Sequence, residues 1–312
     1  MAGSAISLLG DQFTLLALPW LVLRLTGDTV ALGTVLALVG IPRAVFILVG
    51  GAVVDRFSPQ RVLMLTKYVN TVLLAALALG VWQAALTLPV IYALSLALGI
   101  SSAFSIPSGT SILPHALPPA RLAAANGVMM GLRQLSMFLG PLAAGVLIAL
   151  FGDGSGGVQD AGGIALAFGL DAFSFALSAW TLSRVVTRLL PANPVQHAPL
   201  WASVAGGLKH VGGDAQLRTL YLYWGAVAVL VLGPLHIALP VLAQSTPGLG
   251  ASALGLMLGA HGAGTLIGMV ASGLRPGMRI GTLGTSVLLA DIAIGCCSCR
   301  WVASPPAWQA PC

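Results

Sequence analysis

The sequence has no glutamate. Its eight acids are all aspartates, two of its fourteen basic residues are lysines, and charged residues make up 7% of the 312. A soluble domain carries about 25% charged residues, so this chain has too few to cover a water-facing surface. Nor is there a run of Lys and Arg for a phosphate backbone to follow, so the net charge of +6 does not point to nucleic acid. The Gly-x-x-x-x-Gly-Lys loop is missing, which excludes an ATP-driven pump within the chain. Ser105 to Ser111 is rich in Ser and Gly but has no assigned His or Asp partner, so enzyme chemistry is not expected. The four cysteines, Cys296, Cys297, Cys299 and Cys312, lie at the very end, without the spacing or companions of a metal site. No metal and no cofactor are expected. The start lacks a basic n-region and Asp11 interrupts its apolar run, unlike a signal peptide.

What is there is hydrocarbon. Hydrophobic residues are 57% of the chain and the mean hydropathy is +0.97, which selects an all-α, multi-span membrane protein. The apolar runs predict spans at about Ile6–Leu25, Val30–Val54, Val62–Val81, Pro89–Leu113, Leu122–Phe151, Gly163–Val186, Leu217–Ala243 and Ala253–Leu274. Each is long enough to cross ~30 Å of hydrocarbon at about 1.5 Å per residue. A ninth, Gly281 to about Gly295, is shorter. With the N-terminus cytoplasmic, Arg56, Arg61, Lys67, Arg121, Arg184, Arg188, Lys209, Arg218, Arg275 and Arg279 fall on inner loops and helix ends. Only Arg24 and Arg300 fall outside, as the positive-inside rule requires.

The chain also repeats. "ALPWLVLRLTGDTVALGTVLALVG" from Ala17 aligns with "ALPVLAQSTPGLGASALGLMLGAHG" from Ala238. Leu32-Gly33 matches Leu254-Gly255, Gly40 matches Gly262, and Gly51 matches Gly273. Span one therefore corresponds to span seven and span two to span eight, a parallel repeat of six spans of the kind secondary transporters use. The expected parts are an N-terminal six-helix half (residues 1–186), a cytoplasmic linker (187–216), an incomplete second half (217–295, spans seven to nine) and an aberrant, disordered tail (296–312). Within the linker, "PANPVQHAP" cannot be a helix interior. Trp201, Val204, Ala205, Leu208 and Val211 then recur at helical spacing, suiting a short interfacial helix or an extension into span seven.

The stretch "GGAVVDRFSPQR" between spans two and three resembles the loop signature of the major facilitator superfamily. "LLGDQFTLLALPWLV", "SIPSGTSILPHALPPARLAAANG", "RQLSMFLGPLAAGVL" and "LDAFSFALSAW" resemble its drug- and siderophore-exporting branch. Ser58 and Gln60 depart from the loop's usual Gly and basic residue. The resemblance implies a helical bundle of two six-helix repeats, with about nine of twelve spans here and the last three helices replaced by a frameshifted or prematurely ended tail. It implies that Gly51, Asp55, Arg56 and Arg61 form a gating loop. There Gly51 would allow close helix approach, Asp55 would meet a helix N-terminus of the other half, and the arginines would hold the lipid headgroups. Gly140, Pro141 and Gly145 resemble an exporter-associated Gly-Pro hinge.

Asp11, Arg43, Arg133, Asp171 and Asp291 lie within spans, where each charge costs about 2.5–3.5 kcal/mol on insertion scales. Similar depths suggest two neutralising pairs, Asp11 with Arg43 and Arg133 with Asp171. The second is expected to fix helix packing. Asp11, on a helix the resemblance places at the cavity, is the candidate proton carrier, with Arg43 and Arg133 as further cavity residues. His261 reads as a packed neutral side chain. The expected function is proton-coupled efflux of amphiphilic small molecules across the inner membrane. The alternatives are a non-transporting remnant or scaffold and a nutrient importer of the same fold.

Overall fold

The computed structural model describes residues 2–153, 161–184, 200–245 and 250–274. The expected ninth span with Asp291, the tail, residues 187–199 of the expected linker, and Arg188, Arg275 and Arg279 lie outside them. Six long helices come first: α1 (Ala2–Thr26), α2 (Thr29–Arg56), α3 (Pro59–Trp82), α4 (Leu88–Ala116), α5 (Pro119–Phe151) and α6 (Gly162–Ser183). A shorter α7 (Leu200–Gly213) follows. Next come α8 (Ala215–Val227), a π-helical turn (Ala228–Leu232) and α9 (Gly233–Ser245), which together make one apolar rod, and then α10 (Ala251–Leu274). There is no strand among the described residues. Among the described residues, eight segments are long and apolar enough to cross a membrane, matching the first eight expected spans. Residues 1–264 form one compact unit, and a second begins at Thr265.

Short, chemically specified joints fold consecutive helices back on one another. Gly27 closes α1 with φ +64°, a left-handed backbone that glycine adopts without Cβ strain. Asp28 then caps α2, accepting from the Val30 amide at 2.8 Å. Proline opens α3 and α5 at the first helical position, where no amide hydrogen is needed. Within the bundle, α6 packs against α1 and α3, and α4 against α2 and α3. The core is Trp20, Leu16, Leu74, Ile91, Ile148 and Phe168 with their neighbours. In the most apolar stretches of α1 and α6, 61% of residues are buried, against 11% for α2 and for the α8–α9 rod. Val30, Leu222 and Leu230 each stand more than two-thirds exposed. Such patches would drive aggregation in water but are an ordinary outer face in hydrocarbon.

The second hairpin, α9–α10, lies beside the first, α1–α2. The Gln244 amide donates to the Leu23 carbonyl at 3.1 Å, across a sequence separation of 221. Leu15 and Pro19 on α1 meet His236 and Leu239 on α9 at one pocket, about two turns before that bond on each helix. Two contacts in the same order along both helices make α1 and α9 parallel, at the offset of the sequence repeat. At the turn end, Arg24 pairs with Asp153 at 2.9 Å, and the Trp20 indole donates to the Asp153 carbonyl at 3.0 Å. The helix α10 reaches α5 through small residues. A Cβ on Gly145 would lie 2.7 Å from the Ala251 carbonyl oxygen and 2.9 Å from the Gly255 Cα.

That contact yields a stability test. Gly145→Leu must force α5 and α10 apart, at a cost of about 1–3 kcal/mol for overpacking. Gly131→Ala, at an open position on the same helix, should be neutral or stabilising by up to about 1 kcal/mol through helix propensity. Thermal unfolding of the detergent-solubilised chain, followed by size-exclusion chromatography, should show a lowered midpoint for the first variant only.

Candidate functional site

Along α3, the residues Leu63, Thr66, Lys67, Asn70, Leu74, Leu77 and Val81 are buried. Their spacing of three and four is one face of a helix, so a lysine and an asparagine lie on the stripe that packs into the bundle. On α6 the corresponding stripe includes Phe168, Asp171, Ser174, Phe175 and Ser178. Where the two faces meet, Lys67 is 6% and Asp171 1% exposed. The Lys67 Nζ donates to Ser7 Oγ on α1 at 3.1 Å and lies 5.2 Å from the centre of the Phe175 ring. The Asp171 carboxylate accepts from Thr14 Oγ1 on α1 and from Ser174 Oγ at 3.2 Å. Gly10 lets α1 come this close, since a Cβ there would lie 2.5 Å from Asp171 Oδ1.

Asp11 stands at the open edge of this cluster, exposed on α1. Lys67 acts electrostatically on both Asp11 and Asp171, and Arg133 of α5 on Asp11. Neither expected ion pair forms. Asp171 is turned toward α1 and α3, whose hydroxyls and ammonium take the place of Arg133. Arg133 is exposed on α5 and acts electrostatically on Asp11 instead. Arg43, exposed on α2, acts electrostatically on His236 of α9 and forms no ion pair with Asp11. Lys67, expected at an inner helix end, is enclosed. Ser7, Thr14, Lys67 and Ser174 are thus site residues that the reading of charges within spans missed. The stripe from Leu63 to Val81 is the signal that marks Lys67.

Next to the cluster is a pocket walled by Leu15 and Pro19 of α1, Leu36 of α2, His236 and Leu239 of α9, and Leu254 and Leu258 of α10. Asp11 is one turn before Leu15, Arg43 two turns after Leu36, and His261 one turn after Leu258. Because the hairpins α1–α2 and α9–α10 run back on themselves, all three lie toward the same end, away from the turns. Asp11, Arg43, His236 and His261 are exposed there, so His261 is not the packed side chain expected. The pocket is small, about 20 Å³, and apolar apart from His236, with exposed polar residues one to two turns beyond its walls on the same helices.

The expected gating loop is compact. Asp55 and Arg56 are in the last turn of α2, and α3 begins at Pro59. Arg56 and Arg61 are exposed, and Gln60 donates to the Leu182 carbonyl at the end of α6 at 3.1 Å. The close approach expected of Gly51 is made by Gly50, whose Cβ position falls against the Ala103 carbonyl of α4, while that of Gly51 is open. Gly140 lies against Gln12, and a Cβ on Gly255 would lie 2.5 Å from the Pro141 carbonyl oxygen. These residues are packing points on a continuous α5.

The hydroxyls that hold Asp171 are testable. Thr14→Val and Ser174→Ala each remove a hydrogen bond to a buried acid, worth about 1.5–3 kcal/mol when the partner is charged. Both should lower the unfolding midpoint in detergent. Thr34→Val, where the exposed hydroxyl bonds only the Val30 carbonyl of its own helix, should not.

Comparison with known proteins places this geometry. The multidrug efflux pump Tap of Mycobacterium tuberculosis is 27% identical over 233 residues, 72% of this chain and 52% of that protein. The enterobactin exporter EntS of Escherichia coli is 27% identical over 291 residues, 89% of this chain and 64% of that protein. The chain thus spans only part of the length of the curated relatives it matches. A crystal structure of a bacterial homologue of the human lysosomal transporter Spinster, inward-facing and occupied, has the same fold. Its TM-score is 0.66 over 89% of this chain and 60% of that one, at 16% identity. The sequence profile of the Major Facilitator Superfamily matches residues 1–309. With its eight membrane-length segments and its paired hairpins about a shared pocket, the chain belongs to the Major Facilitator Superfamily.

Proposed function

We propose that the chain works in secondary active efflux of amphiphilic small molecules, driven by protons through alternating access. One observation carries the reading: the two hairpins meet around a small apolar pocket of about 20 Å³, and the exposed Asp11 lies one turn beyond its wall on α1. When the hairpins part, those apolar walls would take the hydrocarbon part of a cargo, and the exposed polar residues beyond them its polar part. Relatives named as an efflux pump and an exporter support the outward direction.

Asp11 is the proposed proton carrier. A carboxylate within a membrane helix is costly when charged, and a proton removes that cost. Lys67 and Arg133 act electrostatically on Asp11, the part earlier expected of Arg43. Rocking of the hairpins changes how much water reaches the mouth, and so which of these influences prevails. In this scheme the α2–α3 loop, with Gly51, Asp55, Arg56 and Arg61, lies on the cytoplasmic side at the lipid headgroups and gates that face. The segment Gly140–Gly145 of α5 is the proposed flexing point, bearing on α10. The protein sits in the inner membrane with its N-terminus cytoplasmic.

The test uses the chain reconstituted in liposomes with an imposed pH gradient and a fluorescent amphiphilic dye. Asp11→Asn, matched for expression and monodispersity, should lose uphill accumulation while keeping downhill exchange within about twofold of wild type. Uphill accumulation at the wild-type rate would remove Asp11 from the coupling role.

A further inference from the structure

A proline inside a helix gives no amide to the carbonyl four residues before it. In a membrane helix the freed oxygen needs another partner. Three prolines of the bundle follow one rule. Pro42 frees the Leu38 oxygen, and a Cβ on Gly99 of α4 would lie 2.7 Å from it. Pro107 frees the Ala103 oxygen, and the Cβ position of Gly50 on α2 falls against it. Pro141 frees the Met137 oxygen, and the Cβ position of Gly262 on α10 falls against it. Each freed oxygen is thus covered by a bare Cα of a neighbouring helix, whose C–H groups are weak donors.

Pro19 of α1 and Pro240 of α9 break the rule. They free the oxygens of Leu15 and His236, and no described glycine lies on either. Among the described residues no side chain donates to them. Leu15, Pro19, His236 and Pro240 all line the pocket between the hairpins. They are two repeat-related pairs, at the repeat's own offset, so each hairpin brings the same uncovered acceptor to the same place. A helical carbonyl points along the axis toward the residue four places on, so each oxygen lies between two lining residues of its own helix. Leu36, Leu239, Leu254 and Leu258 add only hydrocarbon, and the His236 ring is the one polar side chain of the lining. The volume of about 20 Å³ suits a group the size of one water.

We propose that the pocket binds the hydrogen-bond-donating head of the cargo, a primary amine on an apolar body, through the carbonyl oxygens of Leu15 and His236. This rests on the reading of the pocket walls as the cargo site and adds the group that they select. A primary amine is of water size, and when protonated it has hydrogens to donate and no acceptor. The two carbonyls and the unprotonated nitrogen of the His236 ring are acceptors that match it.

The test compares binding of a fluorescent amphiphile ending in a primary amine with that of its N,N-dimethyl analogue, using the full chain in nanodiscs of neutral lipid. Both heads are protonated at neutral pH, so the charge is constant while the number of donors falls. The primary amine should bind about three- to tenfold tighter, as one or two hydrogen bonds allow. Pro19→Ala and Pro240→Ala each return an amide to one carbonyl. Each should lower the preference at least about twofold, and the double variant should lose most of it. The single variants keep the test open even where the double does not fold. Pro42→Ala, whose freed carbonyl is covered by Gly99, should keep the preference. His236→Leu removes the ring but not the carbonyl and should lower it less than the proline pair does. A preference that survives in a folded proline pair overturns the proposal, as does its absence from wild type, which would leave the pocket to water. Leu258→Trp, which fills the pocket, separates the two readings. If it leaves amine binding unchanged, the dye sits elsewhere, and the cargo reading of the pocket falls together with the donor site. If it blocks binding while the proline pair keeps the preference, the donor site alone falls.

Discussion

The organisation of the first six helices depends on the approach of α1 to α6 at Gly10. With no side chain there, Asp171 reaches under α1, and Thr14 and Ser174 satisfy it. The enclosed acid is accompanied by an enclosed cation, Lys67 of α3. Three helices that are not sequential neighbours, apart from their membership of one bundle, are thereby fixed in rotation about their own axes. Hydrocarbon packing alone discriminates poorly between rotations, because leucine against lipid and leucine against leucine are nearly equivalent. A buried polar contact is satisfied at one rotation and broken at the others. Its cost in stability is the usual one for buried charge.

Much of this was legible before the structure. Eight spans, their order and the repeat relating the two hairpins followed from hydropathy and from the Ala-Leu-Pro and Gly matches. They did so because membrane helices are set by length and composition. The acids Asp11 and Asp171 and the pocket-side Arg43 also stood out, since a charge inside an apolar run is conspicuous. What failed was pairing. Similar depth joined Arg133 to Asp171 and Asp11 to Arg43, but depth is one coordinate, and the rotation of each helix is the other. Asp171 shares its face with Phe168, Ser174, Phe175 and Ser178, and that face meets α3. Lys67 was missed for the opposite reason. It follows a charged loop closely enough to be counted with it, although it is two turns into α3 and in phase with Leu63, Asn70 and Leu74. The error at Gly51 was smaller, one residue: Gly50 makes the contact, because only one of two successive glycines on a helix can face a given neighbour.

The two hairpins divide their chemistry along their length. Toward their turns they meet through Gln244 and Leu23, with Arg24, Trp20 and Asp153 close by. Toward the other end they diverge around the pocket and its charged mouth. Polar side chains at the mouth are left for water or cargo, whereas those near the turns are used up in bonds within the chain.

The bond from Gln244 to the Leu23 carbonyl also bears on rate. It is neutral and single, worth about 1 kcal/mol net, and Leu23 keeps its other acceptor role toward the Gly27 amide when the bond breaks. No carbonyl is orphaned in hydrocarbon by the parting of the hairpins at that end. The latch thus biases the resting shape without adding a large polar barrier to leaving it. In the proposed cycle, the pace of opening would be left to the sliding of apolar faces such as Gly145 on Gly255, where backbone surfaces without side chains meet.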